Sequence, residues 1–437
     1  MPPRESATHL AHLLTQAGHT AYFAGGCVRD KLLGLFPKDY DIATSATPKE
    51  VLKIFPKSNE VGAHFGVVIV KHEGHHVEVA TFRTDGSYKD GRRPDFVTFS
   101  TPEEDAHRRD FTINGLFENP ETGEVIDHVN GLPDLQARVI RAIGTPSDRF
   151  QEDALRLLRA IRFATTLGFP IEPVTLAAIK DNAHLLGKIS LERIRDEFSK
   201  TITSPNRRRG LELLVDTDLI NHFLPEILPM IGCEQPPEWH PEGDVYTHTC
   251  IMLEMLEPGA PLALCLATLL HDIAKPPTQT FDEESNRIRF NGHDAMGAEM
   301  SETILSRLKY PNAVIRDAAH MVSRHMQFMN VQQMRKAKLK RFMSEPTFPQ
   351  EMELHRVDCA SSNGFTDNYI FLNVKTEEFA SEPLIPPPLI TGKDLINRGL
   401  QPGPRFRKIL DEIQTEQLEN RLATREDALE YLENLLG

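Results

Sequence analysis

The sequence predicts an α+β protein: a head of mixed sheet and helices, followed by helices to the end of the chain. Three observations predict it. Strand-like runs and turn signals crowd the first third, helical periodicity takes over near residue 148, and proline clusters interrupt the helical remainder. In the first third, Val67-Val68-Ile69-Val70, His76 to Thr81 and Val97-Thr98-Phe99 read as strands, separated by turn signals at Asp85-Gly86 and Asn130-Gly131-Leu132-Pro133. From Asp148 onward Leu155, Leu158, Arg159 and Arg162 recur at helical spacing behind cap candidates Ser147 and Asp148. Pro236-Pro237 and Pro386-Pro387-Pro388 cannot continue helices and are candidate boundaries. The expected division is a head at 1–146, a helical neck at 147–235, a helical body at 236–382 and a helical tail at 383–437. The chain contains no internal repeat.

Bulk properties restrict the function classes. A chain of 437 residues is too long for a single compact core, and 40% hydrophobic with 26% charged residues is globular rather than disordered composition. The longest apolar stretch, Gly259 to Leu270, falls short of the about 20 residues that span a bilayer, so no membrane partner is expected. The start lacks the apolar core of a signal peptide, and five scattered cysteines without a Cys-x-x-Cys pair fit neither a disulfide framework nor a zinc knuckle. A reducing cytoplasm is the expected compartment. A net charge of −14 argues against indiscriminate binding of long nucleic acid, DNA included. Two dense basic runs, Arg207-Arg208-Arg209 and Arg335 to Arg341, leave a shape-specific RNA contact open, with a solvated helix face as the alternative for each.

The chemistry concentrates in Gly25-Gly26-Cys27-Val28-Arg29-Asp30 and Lys38-Asp39-Tyr40-Asp41. On a strand, residues two apart point to one face, so Asp39 and Asp41 would aim their carboxylates at one spot, downstream of a glycine pair able to bring backbone N–H groups against a phosphate. Clustered carboxylates are what divalent metal and a nucleoside triphosphate require. Glu78, a charge between Val77 and Val79, is the candidate third carboxylate, with an exposed edge strand as the alternative. In Arg108-Arg109-Asp110-Phe111-Thr112-Ile113-Asn114, guanidiniums can fork onto phosphate while Asp110 and Asn114 bond sugar hydroxyls; a surface ion-pair cluster is the equal alternative.

Further along, Asp153, Arg156 and Arg159 are expected on one helix face. A carboxylate acceptor beside a guanidinium donor fits the edges of cytosine and adenine, each with an amino donor next to a ring-nitrogen acceptor, and rejects uracil and guanine. The alternative is an amphipathic helix with ion pairs. Between head strands, the segment Arg83 to Pro94 is a charged, glycine-bearing loop. The body holds His248, His271-Asp272, His293-Asp294, His325 and Asp358, donors suited to transition metals or magnesium. His320 is read as an ordinary polar histidine.

The pattern Gly-Gly-x-Val-Arg-Asp, Asp-x-Asp and Arg-Arg-Asp-Phe-Thr-Ile-Asn resembles the class II tRNA nucleotidyltransferases of the DNA polymerase beta superfamily, the CCA-adding enzymes, which share their head with bacterial poly(A) polymerases. The resemblance implies a polymerase-beta-like head holding Mg2+ on Asp39 and Asp41, nucleotide contacts from Gly26, Arg29, Arg109 and Asp110, and base reading by Asp153 and Arg156. Arg159 and Arg162 would then hold base or phosphate. Gly25, Asp30, Arg108 and Asn114 complete the candidate nucleotide set. Ile189 to Glu197 resembles a neck motif supporting the base-reading residues, and the loop 83–94 resembles the flexible loop of members that add the terminal A. The body resembles an HD phosphohydrolase domain, implying His248, His271, Asp272 and Asp358 as ligands of a divalent transition metal or Mg2+, with His293 and His325 available for a second position. The stretch Ile390 to Pro404 resembles the family's C-terminal segment, expected to touch RNA; a plain helical hairpin is the alternative.

The implied activity is template-independent addition of CCA to a tRNA 3′ end from CTP and ATP, with an auxiliary phosphohydrolase. A poly(A) polymerase and an A-adding enzyme are the near alternatives; against the first, Val61 to Val70 resembles the CCA-type strand. A metal phosphohydrolase with an RNA-binding head is the alternative of another class.

Overall fold

The computed structural model describes residues 2–58, 66–86 and 96–436. They form two compact units, Met1–Leu228 with Arg307–Tyr310, and Pro229–Ser306 with Pro311–Gly437.

The first unit begins with α1 (Pro3–Gln16), which buries Leu10, Ala11 and Leu14 at helical spacing. There follow β1 (Ala21–Ala24), α2 (Gly26–Leu32), β2 (Ile42–Thr44), α3 (Pro48–Ile54), β3 (Val67–His72), β4 (His75–Thr81), β5 (Arg83–Asp85), β6 (Val97–Phe99), α4 (Pro102–His107), β7 (Phe117–Glu118), β8 (Val125–Ile126) and α5 (Gly131–Gln136). Six strands make one mixed sheet in the order β3-β4-β2-β1-β7-β8, parallel only between β2 and β4. The β3–β4 hairpin closes through Glu73-Gly74, both at positive φ, the backbone that matches the right-handed strand twist. Along β4, Val77, Val79 and Thr81 are buried, which turns Glu78 and Ala80 to the opposite face.

Helices then take over: α6 (Pro146–Glu152), α7 (Leu155–Leu167), α8 (Pro173–Asp181), α9 (Leu191–Ile202) and α10 (Arg207–Asp216). The seven residues Leu155, Leu157, Leu158, Ala160, Ile161, Phe163 and Ala164 bury α7 among its neighbours, and Gly168 at φ 69° ends it. The expected continuous helix through Asp153 does not form. Asp153 is extended, at φ −138°, and its Oδ1 accepts from the Leu155 backbone N–H at 3.0 Å. An aspartate side chain that bonds nearby backbone competes with the helix and caps it instead.

The second unit contains α11 (Val245–Met255), α12 (Leu262–Leu270), α13 (Lys275–Thr278), β9 (Thr280–Asp282), β10 (Arg287–Arg289), α14 (His293–Arg307, its last residue assigned to the first unit), α15 (Asn312–Arg324), α16 (Lys336–Met343), α17 (Phe348–Ser361), α18 (Asp367–Phe379), α19 (Gly392–Asn397), α20 (Pro404–Leu418) and α21 (Arg425–Leu436). It is helical apart from the β9–β10 hairpin. Apolar all round, α12 is buried from Ala263 to Leu270. The last three helices gather their own core of Ile390, Leu395, Ile409, Ile413, Leu422, Ala428 and Leu432.

The basic runs are partly taken up by packing, while Arg209, Arg335 and Lys338 stay exposed. Arg207 is buried, Arg208 and Arg209 pair with Glu212, Lys340 is buried over the Phe379 ring, and Arg341 donates to Thr415 Oγ1. All five cysteines are free, and no helix among the described residues is long and apolar enough to cross a membrane.

Candidate functional site

A cavity of about 550 Å3 in the first unit collects most of the residues singled out in the head and neck. One wall is Gly25-Gly26 between β1 and α2. Gly25 has φ 72°, and a Cβ there would lie 3.0 Å from Arg109 Nη1, so glycine is required where backbone and guanidinium crowd together. Arg29 is fixed by acceptors on either side: it donates from Nη1 to Asn114 Oδ1 at 2.6 Å, and from Nε and Nη2 to Asp30 Oδ1 at 2.8 and 2.6 Å. Asp30 and Asn114 therefore orient the arginine.

The carboxylates are divided. Asp41 precedes β2 and, one position before the parallel Ile42–Val79 pair, stands beside Glu78; both line the cavity. Asp41 keeps solvent access, yet the protein around it, then Glu78 and Asp39, push its carboxyl up to about 6 against the pull of Arg109. Asp39 does not line this cavity. Residues 39–41 lie before the strand, so the alternation expected of a strand is not enforced there, and Asp39 faces a smaller depression with Lys38, Tyr40, His75 and His76. Among the described residues, Asp39, Asp41 and Glu78 do not bring three oxygens within 4.8 Å of one another. Burial and the Glu78 charge both disfavour the ionised Asp41 carboxylate, and a cation would offset both, so the chemistry of the pair fits a divalent metal.

Opposite the carboxylates stands an arginine array. Arg108 and Arg109 pair chiefly with Asp105, at 2.7 and 2.9 Å, rather than with adjacent Asp110. Burial alone would raise Asp105; Arg109 and Arg108 outweigh it and lower its carboxyl. Asp110 receives Arg159 on Oδ2, from Nε at 2.7 Å and Nη2 at 2.5 Å, while Asn114 Nδ2 and the Phe111 N–H donate to Oδ1. Burial opposes that charge, and the arginine and amide donors overcome it, bringing Asp110 down to about 2. Arg156 is buried and held by Glu152 at 2.6 Å and by the carbonyls of Arg149 and Arg108. Arg162 lies 2.6 Å from Glu197 and, with its carbon Cζ 4.1 Å from the ring centroid, over Phe163.

Two participants escape a reading of the sequence, Phe163 and Asp105, and two more, Arg193 and Glu197, are singled out there only as part of the neck motif 189–197. Phe163 carries Arg29, Arg159 and Arg162 around its ring at 5.2, 5.3 and 4.1 Å. Arg193 donates to Asp153 Oδ2 at 3.0 Å and lines the cavity with it. The four-residue spacing of Arg193 and Glu197 in the neck motif is the available signal, though a surface ion-pair helix has the same one. The arrangement can bind a polyanion along the arginines and hold a base between Asp153 and Arg156. Much of the loop 83–94 and of the strand 61–70 lies outside the described residues.

The second unit holds a cavity of about 420 Å3 lined by His271, Asp272, His293, His325 and Asp358, with His248 outside the lining but 3.2 Å from Asp358. His271, His293 and His325 each turn Nδ1 to a backbone carbonyl, of Thr268, Phe290 and Val322, at 2.9, 2.7 and 2.6 Å. An imidazole that donates from Nδ1 presents a lone pair at Nε2, the form that ligates metal. Three donor sets result, His248 with His271 and Asp358, Asp272 with His293 and His325, and His240 with Glu242 and His248, each within 4.8 Å; in the third, Glu242 is already taken up by the Nδ1 atoms of both histidines. Asp272 is held well below the usual carboxylate range: burial opposes its charge, and His271 and Lys275 outweigh it. His271 Nε2 lies 3.0 Å and Lys275 Nζ 2.7 Å from Asp272 Oδ2, and His248 Nε2 lies 3.2 Å from Asp358 Oδ1, so imidazole nitrogens and carboxylate oxygens converge in buried surroundings. That mix of donors fits a cation. His320 stands apart, half-exposed and 3.5 Å from Glu351.

Three stretches of the chain match known families. Residues 21–141 match the poly A polymerase head domain, 168–231 the family described as a probable RNA and SrmB- binding site of polymerase A, and 293–432 the tRNA nucleotidyltransferase domain 2. The CCA-adding enzyme of Lactobacillus johnsonii is 50% identical over 207 residues, 47% of this chain and 52% of that protein, so the match spans about half that relative's length. The CCA-adding enzyme of Lactobacillus helveticus is 34% identical over 426 residues, 97% of this chain and 95% of that protein. Among solved structures, the Bacillus stearothermophilus CCA-adding enzyme in complex with CTP superposes with TM-score 0.77 at 30% identity, covering 100% of this chain and 98% of that one. The Thermotoga maritima enzyme complexed with tRNA, at TM-score 0.63, 20% identity and coverage of 100% and 97%, shares the fold. With a head-domain match placed on the carboxylates and arginines of the first cavity, and near-full-length similarity beyond it, this chain belongs to the family of CCA-adding enzymes.

Proposed function

We propose that this protein adds nucleotides to the 3′ end of tRNA without a nucleic-acid template, completing CCA from CTP and ATP. The observation that carries the reading is the single cavity in which Asp41 and Glu78 face an array of arginines that leads to Asp153 and Arg156. The relative of similar fold that was solved with CTP supports it. In the reaction the primer 3′-hydroxyl attacks the α-phosphorus, a new P–O bond forms, the bond to the β-phosphate breaks and pyrophosphate leaves. Arg29 and Arg109, oriented by Asp30, Asn114 and Asp105, bind the triphosphate and offset its charge. Asp110 and Asn114 stand ready for ribose hydroxyls. Asp153, fixed by Arg193, and Arg156 read the base edge. Asp41 and Glu78, with Asp39 adjoining, would hold divalent metal, Mg2+ in this reading, which supplies positive charge at the phosphate and lowers the pKa of the attacking hydroxyl. Head, neck, body and tail divide at 146, 235 and 382, and the cytoplasm is the working compartment.

The test offers tRNA ending at the discriminator base, at C or at CC, with each labelled nucleotide. Stepwise C, C and A with termination is expected. Extension only from CC makes it an A-adding enzyme, and unlimited A addition makes it a poly(A) polymerase; either outcome overturns the reading.

A second reading concerns the body. His293 Nε2 and His325 Nε2 stand 3.1 Å apart with both Nδ1 atoms already donating, so two lone pairs face each other beside Asp272. A divalent transition metal or Mg2+ held by His248, His271, Asp272 and Asp358, with a second on His293 and His325, resolves that arrangement and supports a phosphohydrolase activity. Unchanged metal content and phosphatase rate in His271→Ala would refute it.

A further inference from the structure

We infer that Glu242 is the positioning residue of the body's metal centre: its carboxylate fixes His248 in the ligating orientation. The inference rests on the metal-binding reading of that body. The local sequence builds the contact. Gly243 sits at φ 126°, a backbone that side-chain-bearing residues rarely adopt, and Asp244 then caps α11, accepting from the Thr247 N–H at 2.8 Å while its other oxygen accepts from the Gly232 N–H at 2.6 Å. This pinned turn folds Glu242 back over the first turn of α11. Glu242 Oε1 there stands 2.6 Å from His248 Nδ1 and 2.9 Å from His240 Nδ1, one oxygen accepting from two imidazoles.

The other three histidines of the set use backbone carbonyls for this purpose, at Thr268, Phe290 and Val322. Among the metal-set histidines, a side-chain carboxylate performs it for His248. With Nδ1 turned to Glu242, Nε2 of His248 is directed to Asp358, 3.2 Å away, within the donor set that includes His271. Glu242 Oε2 is buried without a hydrogen-bond partner, so the carboxylate is kept in this enclosed place on the strength of the Oε1 contacts. A carboxylate behind a ligating histidine fixes the tautomer and makes the other nitrogen a stronger donor; losing one typically costs about 10–100-fold in metal affinity.

The experiment titrates the full chain with Co2+, followed by its visible spectrum, in an Asp39→Ala/Asp41→Ala background that silences the head. Glu242→Ala, Glu242→Gln and His271→Ala are compared, with circular dichroism and Tm recorded for each. The expected result is a His271-dependent spectrum, weakened about 10–100-fold in affinity by Glu242→Ala and less by Glu242→Gln, whose amide oxygen still accepts a hydrogen bond. A merely structural glutamate would lower Tm and leave Co2+ affinity unmoved in the folded variants, which overturns the inference alone. Should the unsubstituted body give no His271-dependent spectrum, the metal reading falls and the inference with it. If Glu242→Ala does not fold, Glu242→Gln decides: affinity equal to the parent overturns the inference, and a loss upholds it.

Discussion

At the scale of single residues, the head cavity is governed by which carboxylates are neutralised. Asp110 has Arg159 on one oxygen and Asn114 on the other, and burial makes those partners count. Its carboxyl titrates near 2 in the folded chain and near its ordinary value when unfolded. A depressed folded value gives stability that is fully present above about pH 4 and is lost as pH falls through about 2. We expect Asp110→Asn to cost about 2–3 kcal/mol at pH 7, since each tenfold difference in proton affinity between the folded and unfolded chain is worth about 1.4 kcal/mol, and to flatten the acid limb between about pH 4 and 2. Urea unfolding across pH checks it. Asp41 is the opposite case, raised to about 6 by burial and by Glu78. Carbon-13 NMR of the carboxyl should show a midpoint near that value, and millimolar Mg2+ should move it down. A midpoint indifferent to Mg2+ would contradict a metal role.

At the scale of elements, two junctions set the site. The break between α6 and α7 puts Asp153 at the start of α7, where it caps Leu155 and is anchored by Arg193. Asp153→Ala should therefore cost about 1 kcal/mol as a lost cap, read as a lower Tm, and also erode the preference for CTP over UTP. An unchanged CTP/UTP ratio would sink the base-reading role. The second junction is the start of α5, where Gly131 packs on the turn that carries Asn114. A Cβ on Gly131 would lie 2.3 Å from the Thr112 carbonyl oxygen, backbone that cannot step aside cheaply. Gly131→Ala should destabilise the chain by about 1–3 kcal/mol, measured by denaturant melts.

At the scale of the whole molecule, the two proposed chemistries would be carried by separate residue sets. Asp41→Asn should abolish nucleotide transfer and leave body metal content unchanged, while His271→Ala should remove body metal and leave CTP incorporation within about two-fold. Filter assays of labelled tRNA and metal analysis decide both. Much of this is legible in the sequence. The strands at 67–70, 76–81 and 97–99, the helical takeover in the neck, and the carboxylate candidates Asp41 and Glu78 follow from local pattern, whereas Arg29 as a nucleotide contact is implied by the family resemblance and Asp153 stands before the helix on which the pattern put it. Asp39 is expected to share a face with Asp41 only if strand alternation extends to a segment that in fact lies before the strand. Phe163 gives no signal of its own because an aromatic inside a helical pattern looks like core, which it also is.

The sequence by itself determined the element types and supplied the donors, because helical period, strand alternation and cap chemistry act over a few residues. Only the tertiary structure decided the pairings. Arg29 reaches Asn114 across 85 positions, Arg159 reaches Asp110 across 49, and Glu242 rather than a main-chain carbonyl backs His248. Such partnerships are set by burial and competition among many acceptors, where each arginine goes to the carboxylate that packing brings nearest, and no spacing along the chain encodes that choice.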